Sequence, residues 1–186
     1  EMDINLTPFK SAINVNKYSI SQNIADGILT GYLVSDGKMI TADGIRVCVT
    51  PLELGDANLL LTPELITLIG SLTEEKAKLS VSETGGILIS TSNAIVYGSE
   101  LEGKEQYPDV IPLTEIEFGS HCTLSKLSIL SILDRLNLFI NPFEQNAISL
   151  IFEENYLKIL TPSGSYETVA YISSQDFAEF NCSVNG

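Results

Sequence analysis

Apolar residues fall at helical spacing in three stretches of the chain and alternate with polar residues in the segments between. The first stretch, 8–20, takes Thr7 as N-cap, Pro8 in its first turn and Phe9, Ile13 and Val15 or Ile20 as its stripe. The second, 63–72, follows Thr62 and Pro63 and carries Leu65, Leu68, Ile69 and Leu72 on one side. The third, 124–139, repeats leucine every three residues from Leu124 to Leu136, with Ile129 and Ile132 widening the apolar face. After each helix come strands around a polar turn. Ile28, Tyr32 and Val34 precede Asp36-Gly37, and Met39, Ile45, Val47 and Val49 follow it in alternation. Asp-Gly between two such runs predicts a hairpin, because a type I′ turn needs positive φ at both central positions. Leu79 and Val81 lead into Gly85-Gly86, then Ile87, Ile89, Ile95 and Tyr97. The stretch from Ala147 predicts a strand, a Glu154-Asn155 turn and two more strands. Asn58–Leu61 and Ile116–Phe118 predict single strands ahead of the second and third helices, and Phe177–Val184 predicts a further strand.

One helix with its strands cannot bury its own apolar face, so the repeat implies stacked units. Two units give helices on one face of antiparallel sheets, an α+β architecture. On this reading residues 1–102 form one complete domain. The charged stretch 103–113, with Pro108 and Pro112, is an interdomain linker, and 114–186 is the first half of a second domain.

Composition narrows the function. Hydrophobic residues make up 44 % of the 186 positions and charged residues 18 %, which excludes a disordered acidic tail. A net charge of −14 argues against a basic nucleic-acid coat and against an anionic membrane surface. No apolar run is long enough to span a bilayer. Cys48, Cys122 and Cys182 are too few for a disulfide framework and predict buried, reduced thiols in a cytoplasmic protein. The chain opens on Glu1 rather than Met, which reads as a processed or excised chain.

Enzyme chemistry finds little support. His121 is the sole histidine and stands beside Cys122, where adjacent strand residues would face opposite ways. One histidine and three scattered cysteines make no metal set, and no cofactor is expected. Gly98 to Lys104 matches a phosphate-loop spacing but lacks the following Ser or Thr and carries Glu100 and Glu102 where phosphate would sit. Charge placement says more. The three helical stretches hold Lys10, Lys17, Lys126 and Arg135 against only Glu64 and Asp134, so they are the mildly positive part of a strongly negative body.

Together these features resemble the bacterial DNA polymerase III β subunit, the β sliding clamp, in a bacterial or phage form. Asp36-Gly37-Lys38-Met39-Ile40-Thr41-Ala42-Asp43-Gly44-Ile45-Arg46-Val47 resembles the family's middle-domain run, in which a D-G-K hairpin leads to a strand ending A-T-D-G-H-R-L. The stretch from Glu102-Gly103 through Tyr107-Pro108-Asp109-Val110-Ile111-Pro112 is similar to the family's linker. Asn146-Ala147-Ile148 through Leu157-Lys158-Ile159 is similar to the hairpin opening its third domain. The match covers roughly residues 8–183. Ile45 stands where the family usually has His, Ala42 where it usually has Thr, and the linker is shorter between Pro108 and Pro112.

The resemblance implies the DNA clamp fold, with a middle domain plus half of a third. It implies a non-enzymatic processivity factor whose ring encircles double-stranded DNA without reading sequence. Lys10, Lys17, Lys126 and Arg135 would face the DNA. A replicative DNA polymerase and the clamp loader would dock short peptides into an apolar pocket of Ala42, Gly44, Ile45, Arg46, Val47, Pro108 and Val110. Loose phosphate contact suits such a ring, since strong basic clusters would hinder sliding. The competing expectation is an acidic clamp-like module that binds a protein partner and never encircles DNA.

Overall fold

The computed structural model describes residues 1–140, 147–153, 155–173 and 180–185. The chain divides into two compact units, Glu1–Glu115 and Ile116–Gly186. The segment 103–113, read as a linker, lies wholly within the first unit.

In the first unit, β1 (Met2–Asn5) leads directly into α1 (Leu6–Asn16). A 3-10 segment, Ile24–Thr30, precedes the meander β2 (Tyr32–Ser35), β3 (Lys38–Ala42) and β4 (Val47–Pro51). Then β5 (Leu59–Leu61) leads into α2 (Pro63–Ser71) and a second meander, β6 (Lys76–Val81), β7 (Gly86–Ser90) and β8 (Ile95–Ser99). The unit closes with a 3-10 turn at Lys104–Gln106 and the short α3 (Ile111–Thr114). Its two antiparallel sheets run β4-β3-β2-β5 and β1-β6-β7-β8. Each half thus lends the other a strand: β1 pairs with β6 of the second meander, and β5 with β2 of the first.

Both halves share one core, in which Leu6, Phe9, Leu65 and Ile69 of the two helices meet Val34, Met39, Leu79, Ile87 and Ile89 of the sheets. The Asp36-Gly37 turn has φ of 50° and 70°, as a type I′ hairpin requires. Thr62 caps α2 through its hydroxyl, which accepts from the Leu65 amide at 3.2 Å; such a cap contributes about 1 kcal/mol.

Four local expectations need correction. The first helix is shifted toward the N-terminus. Asn5, not Thr7, is its cap, its Oδ1 accepting from the Thr7 amide at 2.9 Å, because the fully buried Leu6 has to start the helix against the core. The helix ends at Asn16 because that side chain turns inward to hydrogen-bond the sheet. Ile45 is not in a strand; β4 begins at Val47 and Ile45 stands in the β3–β4 turn. Ile116–Phe118 forms no strand, and Ile116 and Phe118 are exposed; the alternation there is too short to create a ladder.

In the second unit, β9 (Cys122–Thr123) precedes α4 (Lys126–Asn137). It is followed by β10 (Ala147–Phe152), β11 (Tyr156–Leu160), β12 (Tyr166–Ala170), β13 (Ile172–Ser173) and β14 (Phe180–Asn185). The main sheet runs β12-β11-β10-β14, and β13 pairs with β9. Ile132 and Leu136 of α4 are buried with Leu157, Ile159, Val169 and Tyr171, with Ile129 and Leu133 packed against them. Leu127 is 80 % exposed, because a three-residue repeat drifts around a helix of 3.6 residues per turn and leaves the core-facing stripe. Cys48 and Cys122 are only half-buried, and Cys182 on the edge strand β14 is exposed, so none of the three thiols has the full burial expected. Glu154 of the expected turn, Asn146 of the hairpin motif and the expected strand start at Phe177 lie outside the described residues.

Candidate functional site

The sheet β4-β3-β2-β5 is apolar on both sides. Neighbouring strand residues point to opposite faces, and Tyr32, Val34 and Met39 enter the main core while Leu33, Ile40, Ala42, Val47 and Val49 build a second cluster. Ladder registers set Ile40 opposite both Leu33 and Val49, and Ala42 opposite Val47. The 103–111 segment covers this outer face in part: Val110 is buried with Ile40 and Ala42, and Tyr107, Ile111 and Leu29 pack around them.

That segment is fixed at its start. Gly103 turns with φ 92°, a conformation open to glycine at no steric cost. Lys104 Nζ donates to the Asn58 carbonyl at 2.7 Å and to Glu100 Oε1 at 2.8 Å, and the same Glu100 oxygen accepts from the Leu60 amide at 2.9 Å. Tyr107, extended ahead of Pro108 as a pre-proline residue prefers, places its hydroxyl among apolar side chains near the Ala42 amide but without a hydrogen bond of good geometry. Burial pushes that hydroxyl up to about 12.

At the end of β3 the chain turns through 43–46. Asp43 Oδ1 accepts from the amides of Ile45 and Arg46 at 3.0 and 2.7 Å, and Oδ2 accepts from Arg46 Nε and Nη2 at 2.8 and 2.6 Å. The Arg46 amide and then its side chain hold the Asp43 carboxyl below the ordinary carboxylate range, against the opposing effect of burial. Ile45 stands 93 % exposed at the tip of this turn. Of the residues expected in a peptide pocket, Ala42, Val47 and Val110 are therefore packed together. Pro108 is exposed between Tyr107 and Val110, and Gly44, Ile45 and Arg46 form the exposed tip.

Sequence reasoning missed Leu29, Leu33, Ile40, Val49, Tyr107 and Ile111. A signal was present for the strand residues: Leu33-Val34 and Met39-Ile40 are apolar in both phases of the alternation, which marks a sheet covered on both faces.

The four cations expected to face DNA fall into two pairs. Lys10 Nζ donates to the carbonyls of Leu72 and Glu74, capping the end of α2 from α1. Arg135 on α4 forms a bidentate pair with Glu167 of β12, its Nε 2.7 Å from Oε1, and its Nη1 donates to Ser131 Oγ at 2.6 Å. Lys17 lies over the Tyr18 ring, 5.1 Å from its centroid, and is exposed; Lys126, in the first turn of α4, is also exposed. Only Lys17 and Lys126 of the four present a charge not already committed to an ion pair or a buried cap.

The Arg135–Glu167 pair predicts a pH response. Hydrogen bonding to Arg135 lowers the Glu167 carboxyl from its ordinary value, so the pair stabilises above that value and is lost as pH falls through the lower, folded one. Thermal unfolding between pH 7 and 3 is expected to show the wild type losing more stability toward acid than Arg135→Gln. Parallel curves would show the pair to be inconsequential, as many exposed pairs are.

His121 is exposed, and no group of three metal-ligating side chains gathers among the described residues. Gly98 and Ser99 lie in strand β8, and the phosphate-loop spacing leads only into the three-residue 3-10 turn Lys104–Gln106, not an α-helix. No helix among the described residues is long and apolar enough to cross a membrane.

No family model and no curated protein sequence matches the chain. Its structure, in contrast, matches solved DNA polymerase III β subunits. The subunit from Borrelia burgdorferi, solved in complex with a natural product, superposes with a TM-score of 0.83 at 21 % identity over 99 % of this chain and 52 % of that one. A putative β subunit from Eubacterium rectale gives 0.81 at 15 % identity, over 99 % and 53 %. The β subunit of Streptococcus pyogenes gives 0.80 at 19 % identity, again over 99 % and 53 %. At these identities the likeness is one of fold: the chain has the sliding-clamp fold and spans about half the length of the structures it matches.

Proposed function

We propose that this chain is the middle domain and the first half of a third domain of a non-catalytic sliding clamp. As part of a ring, it would enclose duplex DNA and tether a replicative polymerase through a short peptide. The observation that carries the reading is the convergence, within the clamp fold, of Ala42, Val47 and Val110 in one apolar cluster beside the exposed 43–46 turn. The family-like motifs at 36–47 and 102–112, distant in sequence, meet there. Enclosure reconciles a body of net charge −14 with a polyanionic partner, since a closed ring retains DNA without adhesion. On the same reading Lys17 and Lys126 contact phosphates, while Lys10 and Arg135 hold the protein together.

Loading the whole protein on nicked circular DNA and then linearising the circle tests this. A topological clamp survives on the circle and slides off the ends; no loading, or retention on the linear form, refutes the ring. Lys17→Ala with Lys126→Ala is expected to shorten residence and to reduce the salt slope by about 0.9 per lost contact, whereas Lys10→Met leaves that slope unchanged. A second reading, an acidic clamp-like module that binds only protein partners, draws support from the internal commitment of Lys10 and Arg135. It predicts peptide binding, weakened by Val47→Ala, without any retention on circles.

A further inference from the structure

The 43–46 turn does more than connect two strands. One carboxylate accepts four hydrogen bonds, two from backbone amides and two from a guanidinium, all between 2.6 and 3.0 Å. The Asp43 side chain is only 10 % exposed, while that of Arg46 is 62 % exposed. The cation that would otherwise dominate the rim of the apolar cluster is thereby neutralised and turned along the loop. Ile45, a stiff β-branched side chain, is held 93 % exposed at the same tip.

We infer that Asp43 is a positioning residue for partner binding: by fixing Arg46 and presenting Ile45, it makes the ledge beside Ala42, Val47 and Val110 apolar and charge-neutral. The inference rests on the reading of this face as a peptide-docking site. The partner segment it fits is a short peptide with an apolar anchor at the turn and no acidic group there. Freed from Asp43, Arg46 would attract a carboxylate at that place, so the aspartate sets specificity by suppressing an alternative pairing.

The test uses the full chain and two synthetic peptides derived from a polymerase tail, identical except that one has Leu and the other Glu at the anchor. Asp43→Asn is the informative variant. Its amide oxygen can still accept the Ile45 and Arg46 amides, which preserves the turn, but the ion pair is lost. Wild type is expected to prefer the Leu peptide. In Asp43→Asn the preference should fall by roughly five-fold or more, with new salt dependence of the Glu peptide. Asp43→Asn combined with Arg46→Gln should restore the wild-type ratio, which a merely structural role for Asp43 does not predict. An unchanged ratio in folded Asp43→Asn overturns the role of Asp43 while leaving the docking face standing. Wild type that binds neither peptide overturns the docking face and the inference together. The Arg46 Nε–H resonance of the free protein provides a readout independent of any ligand: it should be protected from exchange in wild type and lose protection in Asp43→Asn.

Discussion

Replacing Asn16 with alanine is expected to destabilise the first unit by about 3 kcal/mol, the combined effect of lost buried hydrogen bonds and a small cavity. Asn16 is fully buried at the end of α1. Its Nδ2 donates to the Ala12 carbonyl at 2.9 Å and to Thr50 Oγ1 on β4 at 2.6 Å. The Thr41 hydroxyl on β3 donates toward Asn16 Oδ1 and the Asn16 carbonyl, both at 3.0 Å, and Thr41 is itself fully buried. This polar knot ties one helix to the two strands that carry the outer apolar cluster on their opposite face. Chemical denaturation measures the cost. A loss below about 1 kcal/mol would mean that water replaces the amide, as polar cavities permit. Thr41→Val should cost less, about 1–2 kcal/mol, because it removes one hydroxyl and almost no volume.

The other large effect belongs to Val110. Introducing aspartate at this position, 6 % exposed between Ile40 and Ala42, would place a carboxylate among hydrocarbon, at a cost of several kcal/mol if it stayed there. The 103–111 segment has a cheaper response, which is to leave the sheet. Val110 belongs to the outer cluster and not to the main core, so that core should remain folded. Expected results are rapid protease cleavage within 103–111, a nearly unchanged far-UV spectrum and, on the proposed docking of a peptide at this face, loss of binding to a polymerase-derived peptide. Retained peptide affinity alongside cleavage would exclude the segment from the docking site. Global unfolding would show that the segment is part of the first unit's cooperative core.

Much of this was legible in the chain, for local reasons. The Asp36-Gly37 hairpin and the Thr62-capped helix depend on residues a few positions apart, and both follow the sequence signals. The repeat was legible because each half repeats the same order of helix and meander. What escaped notice depends on distance. Nothing around Asn16 announces Thr41 or Thr50 as partners, and its inward turn ends the helix four residues before the apolar pattern does. Ile45 continues a clean alternation and would extend β4, yet Asp43 captures the amides that a ladder would need. Of the outer-cluster residues, Ala42, Val47 and Val110 were found through the family-like motifs. Tyr107 stands in the same linker motif, but an isolated tyrosine ahead of a proline carries no periodic signal that assigns it to the cluster.

The exchange of β1 and β5 between the halves of the first unit bears on how the protein comes to be folded. Met2 pairs with Leu79 and Asn5 with Lys76, so β1 has no ladder partner during synthesis until the second meander emerges. At about 5–20 residues per second, that wait lasts on the order of 4–15 s. Throughout it, β1 ahead of α1 exposes an unpaired edge. The closing step is the non-local kind that slows folding. The sheet β4-β3-β2-β5 has all its strands once residue 61 has emerged, whereas β1-β6-β7-β8 waits for residues 76–99, so the two sheets of this unit close in order rather than together.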